Sequence, residues 1–139
     1  MFFIRIPDVF QHGFWAETKS LTDPKLKELS IRLQTTVLAS RATGTVNGYI
    51  RAFNRWKLFA ATSDEINDFP ARPLHVALYL QHLIVSTKSH SSVDSAFYAI
   101  KWAHENAGLE SPTDNPLVVK VREAAKRILG TEKKIEKHL

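Results

Sequence analysis

Apolar residues recur along this chain at helical rather than strand spacing, in stretches separated by steps rich in proline, serine and threonine. Thr22-Asp23-Pro24 sets a capping side chain before a proline, the arrangement that opens a helix. Leu26, Leu29, Leu33, Val37 and Leu38 then form an apolar stripe and predict a helix over 24–40. Thr43-Gly44-Thr45 opens a second helix over 44–61, with Val46, Tyr49, Ile50, Phe53, Trp56 and Ala60 on its apolar side. Asn47, Arg51, Asn54 and Arg55 fall on the opposite face. Residues 62–72 carry Asp64, Glu65, Asp68 and Pro70 and read as an acidic connecting loop. A third helix over 73–87 starts at Pro73 and buries Val76, Leu80, Leu83 and Ile84. Serines at 89, 91 and 92 cap a fourth helix over 91–107. Its stripe is Val93, Ala96, Phe97, Ile100, Ala103, His104 and Ala107, and Gly108 stops it. After the turn Ser111-Pro112-Thr113-Asp114, Pro116 lies just inside a fifth helix over 115–129, which ends near Gly130. No segment alternates with the period of a strand. The pattern predicts an all-α fold, a single bundle of about five helices over 22–130. A poorly structured arm (1–21) precedes it, and the start of a charged linker (131–139) follows.

Composition narrows this picture. A length of 139 residues suits one domain, and 44% hydrophobic residues can supply its core. The absence of cysteine removes disulfides, thiolate zinc sites and cysteine nucleophiles from consideration. No apolar run approaches the ~20 residues of a membrane-spanning helix. The opening Met1-Phe2-Phe3-Ile4 is cut by Arg5, Pro7 and Asp8 too early for a secretory signal. A net charge of +5 and a pI of about 9.6 suit a polyanionic partner without diagnosing one.

Catalytic constellations do not assemble. None of the six histidines sits in a His-Glu-x-x-His motif, and His75 and His82 find no third ligand at matching spacing. Five scattered glycines build no phosphate-cradling loop, and Asp64-Glu65 reads as a solvated turn. No metal, cofactor or small-molecule substrate is expected. The basic residues carry more information: Arg41, Arg51, Arg55 and Lys57 around the second helix, Lys88 and Lys101 around the fourth, and Lys120, Arg122, Lys126 and Arg127 on the fifth. Thr43, Thr45, Asn47, Ser91 and Ser95 add neutral donors suited to phosphates and base edges near helix N-termini. On charge alone, solvation of helix faces explains the pattern as well as nucleic acid does.

The order of the pieces decides between these readings. They are residues 43–56 (TGTVNGYIRAFNRW), the step Phe69-Pro70-Ala71-Arg72-Pro73, and residues 76–83 (VALYLQHL). Residues 91–104 (SSVDSAFYAIKWAH), residues 108–116 (GLESPTDNP) and a closing basic helix follow. Over about ninety residues this succession resembles the core-binding, SAM-like domain of tyrosine recombinases and phage-type integrases, including recombinase-like genes in mobile elements of animals. The resemblance implies a helical bundle forming half of a clamp on duplex DNA, in DNA recombination and integration, with the second and fourth helices against the major groove. Carried over position by position, it implies contacts near Thr45, Arg51, Ser91, Ser95, Lys126 and Arg127. Arg41, Thr43, Arg55, Lys88 and Lys101 complete the candidate DNA-binding set. Gly44, Ser91 and Ser95 are small where relatives often carry long polar side chains, which leaves mainly phosphate contact.

The family's catalytic domain, with its arginine, His-x-x-Arg pair and nucleophilic tyrosine, follows this domain. No histidine in this chain has arginine three residues on, and Tyr49, Tyr79 and Tyr98 all lie within the expected bundle. No enzyme activity is therefore expected of the chain, which stops where the interdomain linker would run. An intracellular home is expected, in the nucleus if the source is eukaryotic. The resemblance also implies homotypic contacts through the first and last helices. A second class stays open, a helical protein–protein interaction module derived from a recombinase fragment.

Overall fold

The computed structural model describes residues 9–138, and the side chains of residues 9–130. Five α-helices carry the fold: α1 (Pro24–Leu38), α2 (Thr43–Ala60), α3 (Pro73–Thr87), α4 (His90–Asn106) and α5 (Pro116–His138). Short 3₁₀ segments lie at Val9–Gln11, Gly13–Ser20 and Pro112–Asp114, and no strand occurs among the described residues. The expected all-α bundle is the one observed.

Local chemistry explains the boundaries. The Asp23 carboxylate accepts from the Lys25 backbone N–H at 2.8 Å and caps α1, with Pro24 in the first helical position. Ser89 caps α4 through the Ser92 N–H at 3.4 Å. At the other end of α4, Leu109 N–H donates to the His104 carbonyl at 2.9 Å and Gly108 N–H to the Glu105 carbonyl at 3.1 Å. This is the paired closure of a helix by a left-handed residue, and Gly108 supplies it with φ +71°. Gly130, by contrast, is helical, and α5 continues to His138 where a linker was expected from 131. A glycine inside a helix costs only about 1 kcal/mol relative to alanine, and the Glu- and Lys-rich sequence beyond it favours helix.

The core is organised around α2 and α4, the most extensively packed pair, with α3 and α5 closing the other side. Val46, Ile50, Phe53 and Trp56 of α2 are buried together with Val93, Ala96, Phe97, Ile100 and Ala103 of α4. Trp102 is buried as well, its ring 5.7 Å from that of Tyr49. Leu83 and Ile84 of α3 are only half-buried, while Val76 and Leu80 are fully enclosed. The connection between α2 and α3 is acidic in its first part and partly buried in its second. Phe69 and Ala71 are buried, and the Phe69 ring packs edge-on against Phe53 and His104.

The reading of the N-terminal arm is also corrected. From Val9 onward, the segment read as a poorly structured arm is ordered against the bundle; residues 1–8 lie outside the described residues. Val9 and Trp15 are core residues, and the Trp15 indole donates to the Asn106 carbonyl at 2.7 Å. Gly13, at φ +59°, brings its backbone so close to the Ala107 carbonyl that a Cβ would collide with it. The helix expected over 24–40 is present as α1, but it buries no residue. Leu29 is 50% exposed and Ile31 65% exposed, and only Val37 and Leu38 pack partly against the core.

His104 has no exposed surface and joins α4 to the α2–α3 connection. Its Nε2 accepts from the Ala71 N–H at 2.9 Å, so Nδ1 carries the proton and donates to the Ile100 carbonyl at 2.8 Å. Burial pushes its pKa below the usual histidine value, partly offset by the Ile100 hydrogen bond. The unfolded chain therefore takes up a proton near pH 6.5 that the folded chain refuses. The stability contributed by this residue is complete above that pH and is lost as pH falls through the lower folded pKa. Urea unfolding should show a lower midpoint at pH 5 than at pH 7.5, with a slope of at most about 1.4 kcal/mol per pH unit for one proton. The His104→Gln variant should flatten that difference; an unchanged pH profile would exclude this histidine as its source.

Candidate nucleic-acid interface

Burial of Ile50, Phe53 and Trp56 turns the opposite face of α2 to solvent. Arg51 and Arg55, one helical turn apart, are exposed there. The same face carries Gly44 and Gly48 in the first turns of α2, and a Cβ at either position would meet nothing within 4 Å. The start of α2 is thus bare backbone flanked by exposed Thr43 and Thr45, with exposed Arg41 just before it.

Between α2, α3 and α4 lies a cleft of about 250 Å³. Arg55 of α2, Tyr79 and Thr87 of α3, and Ser91, Ser92 and Ser95 of α4 line it. Three of the expected contact residues, Arg55, Ser91 and Ser95, therefore meet in one place. Lys88 follows Thr87 directly, exposed at the C-cap of α3 with φ +54°. Tyr79 is 4% exposed, its ring packed against Trp56, Phe59 and His82. Burial raises its hydroxyl pKa, and the nearby Arg55 charge offsets part of the rise.

Other expected residues lie apart from the cleft. Lys101 is ten residues along α4 from Ser91, about 15 Å at the helical rise. It is engaged by Glu105 at 3.6 Å and Asp114 at 3.8 Å. Lys126 and Arg127 are exposed on α5 without an ion-pair partner among the described residues. Arg122 plays a structural part. It pairs with Asp94 at 3.0 Å and lies over the Phe97 and Tyr98 rings, fastening α5 to α4. Lys57 similarly meets Asp68 at 3.9 Å. Sequence reasoning gave Tyr79, Thr87 and Ser92 no role at this site; the available signal was a tyrosine beside the buried stripe of α3, followed by a serine- and threonine-rich step.

A second, larger feature is apolar. Phe14, Leu21, Leu26, Leu29 and Leu33 line an open groove of about 660 Å³ between the N-terminal 3₁₀ segment and α1. Among the described residues no cluster of histidine and carboxylate side chains is placed to hold a metal ion, and no helix is long and apolar enough to cross a membrane. No protein-family model matches the chain, and no curated protein matches it either.

Proposed function

We propose that the chain is a duplex-DNA-binding module of the tyrosine-recombinase type. It holds the phosphate backbone through the outer faces of α2 and α4 and through Lys126 and Arg127 in the middle of α5, and performs no strand cleavage itself. The observation that carries this reading is the meeting of Arg55 with Ser91 and Ser95 in one cleft, next to exposed Arg51. Lack of an ion-pair partner alone does not select this face, since Lys25 and Lys27 on α1 also have none among the described residues. What sets the face apart is a cation beside hydroxyl donors and the N-terminal end of α4, the combination that suits phosphate. The bare helix surface at Gly44 and Gly48 supports close approach of a nucleic-acid backbone.

Fluorescence anisotropy with a labelled duplex at low salt tests the reading. Arg51→Ala should weaken binding several-fold while changing the unfolding free energy by no more than the about 0.5 kcal/mol usual for exposed substitutions. Glu65→Ala, in the exposed part of the α2–α3 connection, should bind like the parent. Equal binding by Arg51→Ala and the parent would count against this face.

The exposed leucines of α1 favour a second reading, a homotypic or heterotypic helical interaction module. Amphipathic faces of this kind are covered in a bundle by another helix. Concentration-dependent sedimentation without any affinity for duplex DNA would support that reading over the first.

A further inference from the structure

The cleft between α2, α3 and α4 has properties beyond a patch of positive charge. It is smaller than the roughly 300–1,000 Å³ of small-molecule pockets, yet holds several times the roughly 30 Å³ taken by one water in the liquid. Among the described residues no carboxylate lines it. Asp94, the acidic residue on the adjoining turn of α4, is held by Arg122. The lining hydroxyls differ in their commitments. Thr87 Oγ1 donates to the Leu83 carbonyl at 2.6 Å and accepts from the Ser89 N–H at 3.2 Å. Ser91 Oγ is hydrogen-bonded to Ser89 Oγ at 2.8 Å. Ser92 Oγ, Ser95 Oγ and the Tyr79 hydroxyl have no hydrogen-bond partner among the described residues.

Tyr79 is the informative member. The residue is almost wholly enclosed, yet its hydroxyl has no protein partner among the described residues and is left open to the cleft that it lines. Its ring is fixed by Trp56 at 5.3 Å and Phe59 at 4.9 Å, so the hydroxyl is held in place. The Arg55 guanidinium stands close enough to act on it electrostatically. The first turn of α4, a 17-residue helix, adds backbone N–H groups and the positive end of the helix dipole.

We propose that this cleft is a binding site for a single phosphate group, with Arg55 supplying the charge and the hydroxyls of Tyr79, Ser92 and Ser95 supplying three further donors. Its size excludes a whole nucleotide but admits one tetrahedral anion with its waters. On the DNA-binding reading, on which this assignment rests for its source, the group is one backbone phosphate of the duplex. The cleft then fixes the position of the strand along α2 and α4, whereas Arg51 acts as a solvated charge.

The test uses the 139-residue chain, with inorganic phosphate and a short duplex as probes. Phosphate is titrated against chloride at matched ionic strength, reading the Arg55 side-chain Nε–H and the Ser92 and Ser95 backbone amides by NMR. A saturable shift confined to these signals is expected, abolished in Arg55→Gln. In Tyr79→Phe, which keeps the ring packing, the phosphate affinity should drop several-fold with no change in melting temperature. The duplex should displace phosphate from the same signals, and its salt slope should fall by about one in Arg55→Gln. Absence of a saturable phosphate shift, or an equal shift in Arg55→Gln, overturns the site. If the duplex binds while the cleft signals stay silent, the cleft assignment fails and the DNA-binding reading stands. If phosphate saturates the cleft but no duplex binds, the backbone source fails together with that reading.

Discussion

Affinity for duplex DNA is expected to fall about 250- to 1,000-fold between roughly 50 and 200 mM salt. Arg51, Arg55, Lys88, Lys126 and Arg127 are exposed, and on the proposed reading Arg55 acts within the cleft at the start of α4. Neutralising about four to six phosphates releases their condensed counterions and gives a slope of about −4 to −5 in log affinity against log salt. At physiological salt the dissociation constant should then sit in the roughly 10⁻⁴–10⁻⁶ M range of non-specific binding. The resemblance assigns this fold to half of a clamp, and nanomolar affinity would require direct base contacts that small residues such as Ser91 and Ser95 are poorly suited to supply. Anisotropy titrations at four or five salt concentrations measure the slope. A flat response with tight binding would point to a non-ionic interface, and no binding at low salt would sink the DNA-binding proposal.

Loss of the Trp56 side chain is expected to be the most damaging single change to the fold. Trp56 is fully buried and joins three elements. It lies on α2, its ring packs against Tyr79 of α3, and its indole N–H donates to the Asp68 carbonyl in the connection at 2.8 Å. Trp56→Ala removes a large aromatic side chain and strands the Asp68 carbonyl, a loss of about 3–5 kcal/mol from the cavity alone. Against a total of roughly 5–15 kcal/mol for a domain, this leaves little or no folded protein on warming. Phe97→Ala should follow it closely, since Phe97 is buried on α4 and supports the Arg122 guanidinium that fastens α5. Urea denaturation followed by helical circular dichroism measures both. A variant that unfolds at the parental midpoint would show that the cavity is filled by rearrangement of its neighbours.

Much of this architecture is legible in the residues, and the exceptions have physical causes. The starts of α1, α3 and α4 follow from Asp23, Pro73 and Ser89, because caps act locally. Gly108 and Gly130 look alike in sequence yet only Gly108 terminates a helix, since termination depends on a left-handed backbone that the surroundings must require. The packing of Val9 and Trp15 escaped notice because 3₁₀ turns leave no long periodicity to read. The stripe on α1 was legible as a stripe; what covers a stripe is a tertiary fact. At the candidate site, the outward direction of Arg51 and Arg55 follows from the aromatics opposite them. The cleft does not follow, because it is assembled by three helices and turns on Tyr79, whose ring packs into the core while its hydroxyl lines the cleft.

The bare leucines of α1 also set the terms on which this helix exists. A 15-residue helix is marginal by itself in water, and tertiary burial ordinarily supplies what it lacks. Here contact with the buried core comes from Val37 and Leu38 at its C-terminal end. Order in the rest of α1 and occupation of its apolar side are therefore thermodynamically linked. A surface that covers Leu26, Leu29 and Leu33 gains their burial but must offset the entropy of ordering the helix, so its net affinity is smaller than the buried area implies. On the interaction-module reading, covering this side would stabilise α1 without requiring any change in the bundle behind it.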